Sequence, residues 1–263
     1  MSPKDIAEIA LRYAELNREN MYNEPRGHAT SWHAHELCHT CGSCILLGRR
    51  SKYCPGRLEL SKITLLDDGT WGPARNIISF TGGDLACQPE WYVESAKEIK
   101  SLNRDLWVLF ETNGYGLTPK TLDLFKEAGI DSFWLDIKAY DDKVHRGLTG
   151  VSNKWVLRLS EEIIDRGFVL EVSSVYIPGW VEADQIGRIA ELLAQVDPTI
   201  PYAIIAFIPE HKLASVPPPN FQQMIEAYHA AKDAGLKNVR LGNLGMFVKT
   251  IEEYETLKTL GLL

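Results

Sequence analysis

The stretch IISFTGGDLACQPEWYVESAKEIKSLNRDLWVLFETNG, residues 77–114, reads as strand, turn, helix and strand. IISF (77–80) and WVLF (107–110) are apolar runs of strand length, and Trp91, Val93, Ile99 and Leu102 recur between them at helical spacing. The alternation continues down the chain. FWLDI (133–137), VLEVSSVYI (169–177), YAIIAFI (202–208) and VRL (239–241) supply further strands. Helical periodicity lies between them at Leu122, Leu124 and Phe125, at Val156, Leu159, Ile163 and Ile164, and at Ile186, Ile189, Leu192 and Leu193. Gly129, Gly167 and Gly235 follow three of these helices, where a left-handed C-terminal residue is expected. Strands with few polar residues, each but the third promptly followed by a helix, predict parallel βα units. The expected fold class is α/β: a partial (β/α)6 barrel of parallel strands, with a doubly wound open sheet as the alternative.

Upstream the pattern differs. A helix is expected over 3–19, then a polar stretch, then a cysteine-rich segment, and ITLLDDGTWG (63–72) reads as a hairpin turning at Asp68-Gly69. VPPP (216–219) is a stiff loop, with Pro219 and Asn220 at the start of the next helix. No repeat or low-complexity tract interrupts the chain. It reads as one domain over 1–263: N-terminal helix and loop (1–37), cysteine segment and hairpin (38–76), and βα units (77–263).

The 263 residues are 45% apolar and 24% charged, enough for a sizeable core. No run of about 18 apolar residues is present, and the N-terminus lacks the basic start and apolar core of a secretory signal, so a cytoplasmic protein is expected. A net charge of −7 argues against general nucleic-acid binding.

Polar chemistry recurs where the strands end, which is where a βα barrel collects its functional residues. TGGD follows the first strand and ETNG the second; LDIKAYDD ends the third, SSVYIPGW the fourth and FIPEH the fifth. Paired glycines free backbone N–H groups for a ligand. Asp84 and Glu111 suit an amine or hydroxyls, and Lys138 suits a carboxylate. Each also has a plain reading: Gly82-Gly83 as a turn, Asn113-Gly114 as a turn, Asp136 and Lys138 as a mutual pair, His211 as a loop residue.

Of five cysteines, four lie between Cys38 and Cys54, in HELCHTCGSC (35–44) and at Cys54-Pro55. In a reducing compartment such clustering points to metal or catalysis rather than disulfides. C-x2-C-x2-C with a later C-P resembles ferredoxin ligation, and four cysteines also suit tetrahedral zinc. Either arrangement would make an electron carrier or a zinc protein. Cys87 reads as a small residue at a helix start, and His33, His35 and His39 as polar loop neighbours, with imidazole ligation as the alternative.

Taken in order, CHTCGSC, TGGD, ETNG, LDIKAYDDKVHRGLTGVSN, VYIPGW and IPEH resemble the radical S-adenosylmethionine (SAM) superfamily. The likeness is to pyruvate formate-lyase-activating enzymes and related glycyl-radical-activating proteins. It implies that Cys38, Cys41 and Cys44 hold a [4Fe–4S] cluster with one iron left open for SAM. It also implies SAM contacts from Thr81, Gly82, Gly83, Asp84, Glu111, Asn113, Asp136, Lys138 and His211, with Ser173 on the fourth strand. The implied reaction is reductive cleavage of SAM to a 5′-deoxyadenosyl radical that takes hydrogen from a protein, peptide or small-molecule substrate. Reduced flavodoxin or ferredoxin would be the electron donor. The cysteine spacing departs from the family's C-x3-C-x2-C by one residue, and the segment from Cys44 to Ile77 lacks a clear first barrel helix.

Overall fold

The computed structural model describes residues 1–16, 63–65, 71–73, 77–81, 88–104 and 106–262. All six strands expected after residue 76 form, as one parallel sheet in chain order. They are β3 (Ile77–Phe80), β4 (Trp107–Thr112), β5 (Ser132–Asp136), β6 (Val169–Tyr176), β7 (Tyr202–Ala206) and β8 (Val239–Gly242). Before them, β1 (Ile63–Leu65) and β2 (Trp71–Pro73) pair antiparallel, as the hairpin reading requires; its Asp68-Gly69 turn lies outside the described residues. The helices are α1 (Pro3–Leu16), α2 (Pro89–Leu102), α3 (Pro119–Glu127), α4 (Asp142–Thr149), α5 (Leu159–Asp165), α6 (Ala183–Val196), α7 (Phe221–Asp233) and α8 (Ile251–Thr259).

Parallel neighbours in chain order, joined by crossovers of one hand, put the crossover helices on one face of the sheet. That is the partial (β/α)6 barrel. On the helix-covered face, Phe110, Phe133, Leu135, Val172, Tyr202 and Ile204 are buried in the main core. Phe80, Phe110, Phe125 and Phe133 stack through it, with successive ring centroids 4.9, 5.5 and 6.3 Å apart. The opposite, inner face carries Ser79, Glu111, Trp134, Asp136, Glu171, Ser173 and Ala203, as the strand registers require. Trp134, Ala203 and Ile205 make a small separate apolar cluster there.

Local signals set the element ends. Asn220 and Gln223 cap α7 reciprocally, as do Thr250 and Glu253 for α8. Gly129, Gly167 and Gly235 have φ of 84°, 71° and 103°, the left-handed conformation expected after their helices. The expected N-terminal helix runs Pro3–Leu16; residues 17–19 lie outside the described set. It packs on α2, turning buried Ala7 and Ala10 toward the helix whose Ala96 and Ile99 are buried. One expectation fails: the third strand does lead into a helix, α4. That helix is eight residues long, and its apolar side is only the half-buried Val144 and Leu148, packed against the core beside buried His145. Its ends are fixed instead by Asp141, which accepts from Val144 N, and by left-handed Gly150.

Away from the strand C-termini, Asp131 joins the starts of two strands. Its Oδ2 accepts from Val108 N and Lys100 Nζ, both at 2.7 Å, and Lys100 also donates to Leu106 O at 2.6 Å. Burial holds the Asp131 pKa above the usual carboxylate value despite these donors. A raised folded pKa contributes stability below the unfolded value and loses it as pH rises through the folded one. Lys100→Met therefore leaves a poorly solvated carboxylate. It should cost about 1–3 kcal/mol at neutral pH in urea unfolding, less than a fully buried pair because both groups retain some exposure. The loss should shrink as pH falls through the raised folded-state pKa, where the carboxyl protonates, and adding Asp131→Asn should recover part of it.

Candidate ligand site at the strand C-terminal ends

Glu111 sits near the end of β4 on the inner face. Its carboxylate accepts from Ser79 Oγ at 3.2 Å and from Thr81 Oγ1 at 2.6 Å, one strand away. These hydroxyls aim the carboxylate toward the strand C-terminal ends. The turn that follows is tight. Asn113 Oδ1 accepts from Tyr115 N at 2.8 Å, and Thr112 Oγ1 accepts from Gly114 N at 3.0 Å. Gly114 has φ 78°, and a Cβ there would stand 2.4 Å from Leu159 Cδ1.

Asp136 and Lys138 share a face at the end of β5. Lys138 Nζ lies 2.5 Å from Asp136 Oδ2, while Asp136 Oδ1 is buried with no hydrogen-bond partner among the described residues. Asp136 stands in register with Ser173 of β6. The buried Ser173 hydroxyl accepts from the Trp134 indole N–H at 2.5 Å, so its own proton is free for another acceptor.

The connection after Lys138 is held along its length. Ile137 N donates to Ser173 O (2.9 Å), and Ser174 Oγ donates to Ile137 O (2.7 Å). Asn153 Nδ2 donates to Ala139 O (3.0 Å) and Tyr140 O (2.6 Å), and Gln185 Oε1 accepts from Asp141 N (3.0 Å). Asp142 accepts from Ser152 Oγ, Arg146 Nε and Asn153 N; the Ser152 hydroxyl, then Arg146, hold its carboxyl well below the usual carboxylate range. His145 Nδ1 meets Val151 O at 2.8 Å. Gln185 Nε2 donates to Trp180 O at 2.6 Å, and the Trp180 ring lies against Gly147, where a Cβ would meet it at 3.0 Å.

His211 opens the turn His211–Leu213 after β7 with φ 49° and an exposed side chain. Cys38, Cys41, Cys44, Cys54 and Cys87, the nearby histidines His33, His35 and His39, and Gly82, Gly83 and Asp84 lie outside the described residues. Among the described residues no group of three His, Cys, Asp or Glu side chains is placed to hold a metal, and no helix is long and apolar enough to cross a membrane. Sequence reading missed two inner-face groups, Glu171, which is 2% exposed, and Arg240, whose pKa burial pushes down. Strand parity with Asp136 and Ser173 was the signal that could have found them: Glu171 lies two residues before Ser173, and Arg240 pairs with Ala203.

The donor set suits a zwitterionic ligand that also bears hydroxyls. Lys138 offers a cation, Glu111 and the bare Asp136 Oδ1 offer acceptors, and Ser173 offers a proton. SAM has this combination of carboxylate, amine and ribose hydroxyls, so the described residues fit it.

Residues 65–193 match the family model of the radical SAM superfamily. That match spans just under half of the chain. A Methanocaldococcus jannaschii protein named for glycyl-radical enzyme activation is 30% identical over 160 residues, 59% of this chain and 58% of its own length. Pyruvate formate-lyase 1-activating enzyme of Escherichia coli is 25% identical over 160 residues, 56% of this chain and 64% of its own. The chain thus spans less than two thirds of either relative. A crystal structure of a domain of pyruvate-formate lyase-activating enzyme from Bacteroides vulgatus superposes with TM-score 0.53 at 21% identity, covering 63% of this chain and 98% of that one, a likeness of fold.

Gly114→Ala should lower the unfolding free energy measured in urea by about 2–4 kcal/mol, combining a left-handed backbone with overpacking against Leu159. Adding Leu159→Ala should relieve only the steric share of the clash.

Proposed function

We propose that this chain is a radical SAM enzyme, with SAM at the strand C-termini beside a [4Fe–4S] cluster held by Cys38, Cys41 and Cys44. The observation that carries the reading is the Asp136–Lys138 pair, with Asp136 Oδ1 bare, beside the Glu111 carboxylate that Ser79 and Thr81 orient. When bound, the cluster and SAM supply one-electron cleavage to methionine and a 5′-deoxyadenosyl radical that takes hydrogen from a substrate.

The protein's own residues bind and orient. Lys138 turns from Asp136 to the SAM carboxylate. Thr81, Gly82, Gly83 and Asp84 receive the amino group, with Glu111 and Asn113 alongside. Asp136 Oδ1 and Ser173 meet polar groups of the nucleoside, His211 lies near the adenosyl moiety, and the buried Trp134 keeps water from the floor of the site. The relatives named for activating enzymes support a protein substrate carrying a glycine loop, with a peptide or small molecule as the narrower alternatives. A reduced flavodoxin or ferredoxin would donate the electron, in the cytoplasm.

The test is anaerobic incubation of cluster-loaded protein with SAM and dithionite, with the fragments identified by mass spectrometry. The expected products are 5′-deoxyadenosine and methionine; intact SAM with a full cluster would reject the reading. Cys54→Ala should keep iron and sulfide at wild-type content, whereas their loss would favour a four-cysteine electron carrier. Lys138→Ala should raise the KM for SAM about 10–100-fold, the worth of a hydrogen bond to a charged group.

A further inference from the structure

Lys138 is the cation of the site, but its side chain is 37% exposed and among the described residues bonds only to Asp136. A lysine is a flexible four-carbon stem ending in a point charge, so its aim depends on where its backbone is held. That backbone is held by two buried carboxamides from elsewhere in the chain. Asn153, 2% exposed, uses one nitrogen to bind the carbonyls of Ala139 and Tyr140; Gln185, 7% exposed, takes the N–H of Asp141. Neither amide is needed to start α4, because Asp141 itself caps Val144 N at 2.9 Å. The two come from opposite sides, Asn153 from the loop after α4 and Gln185 from α6, and converge on the three residues following Lys138. Gln185 also ties in Trp180, so the clamp is anchored to the turn after β6.

We infer that Asn153 and Gln185 are positioning residues for the ligand cation: they fix the chain beyond Lys138 and so set affinity for the carboxylate end of the ligand. This rests on the SAM reading above. Sites that must hold a reacting ligand lose much of their effect when displaced by about 1 Å, and a bound backbone prevents that displacement. Asn153→Ala removes two donors at once and lets residues 139–140 relax toward solvent. Its consequence reaches the ligand only through Lys138.

That dependence gives the test. SAM affinity is measured by equilibrium dialysis on cluster-loaded full-length wild type, Asn153→Ala, Gln185→Ala, Lys138→Ala and the two double variants with Lys138→Ala. Iron content and circular dichroism are recorded alongside. Asn153→Ala and Gln185→Ala should each weaken SAM binding about 5–20-fold, with iron content and kcat at saturating SAM within about twofold of wild type. In the Lys138→Ala background either substitution should add less than about twofold, because the residue it acts through is gone. Wild-type affinity in both folded single variants, or full additivity with Lys138→Ala, overturns the inference while leaving the SAM reading intact. If Asn153→Ala does not fold, Gln185→Ala carries the same cycle. Wild type that is fully loaded yet binds no SAM overturns both.

Discussion

The structure depends on one constraint, the two-sidedness of six parallel strands laid down in chain order. Their connecting helices cover one face, so residues at alternate positions enter a continuous apolar core and the positions between them face inward. A carboxylate at 111, 136 or 171 would be ruinous one position earlier or later, because a one-residue slip moves every side chain to the other face. The phenylalanine stack from Phe80 to Phe133 anchors that register across three strands and α3. Placing Glu111, Asp136 and Ser173 toward one mouth is then a consequence of packing the opposite face.

The motif most specific to the family divides into ligand-facing and scaffold parts. In LDIKAYDDKVHRGLTGVSN, Asp136 and Lys138 face the mouth, while Asp142, His145, Thr149, Ser152 and Asn153 bind backbone or one another. The PGW that follows β6 belongs to the same scaffold, with Trp180 seated on Gly147. A long shared motif therefore marks a rigid mount for one lysine as much as it marks chemistry. The arrangement follows the general pattern in which a site is only as well aimed as the side chains around it.

Strands were legible because apolar runs of strand length alternate with helical periodicity along the chain. The glycines after three helices were legible because φ near 70–100° excludes most other residues. Helix α4 was not, since Val144 and Leu148 alone mark its apolar side and its ends are set by caps, which is too short a pattern for hydrophobic periodicity. Asp136 and Lys138 could be placed on one strand face from spacing, and the mutual pair read there is what the structure holds. Glu171 and Arg240 were overlooked because VLEVSSVYI and VRL read as buried runs. Parity with Ser173 carries Glu171 to the inner face, whereas Arg240 is placed there by the registers across β6, β7 and β8.

The Asp136–Lys138 pair also explains how such a mouth can be stable when empty and receptive when filled. At 37% and 29% side-chain exposure the pair contributes no more than about 1 kcal/mol, so exchanging one carboxylate for another costs little. Asp136 keeps Oδ1 uncommitted, which means that it need not leave the site when Lys138 turns to a ligand. It can accept a hydrogen bond from the ligand instead, and the carboxylate that neutralised the lysine becomes an acceptor for the molecule that displaced it. A bare lysine would have carried its charge unbalanced, and a fully bonded aspartate would have had nothing to offer.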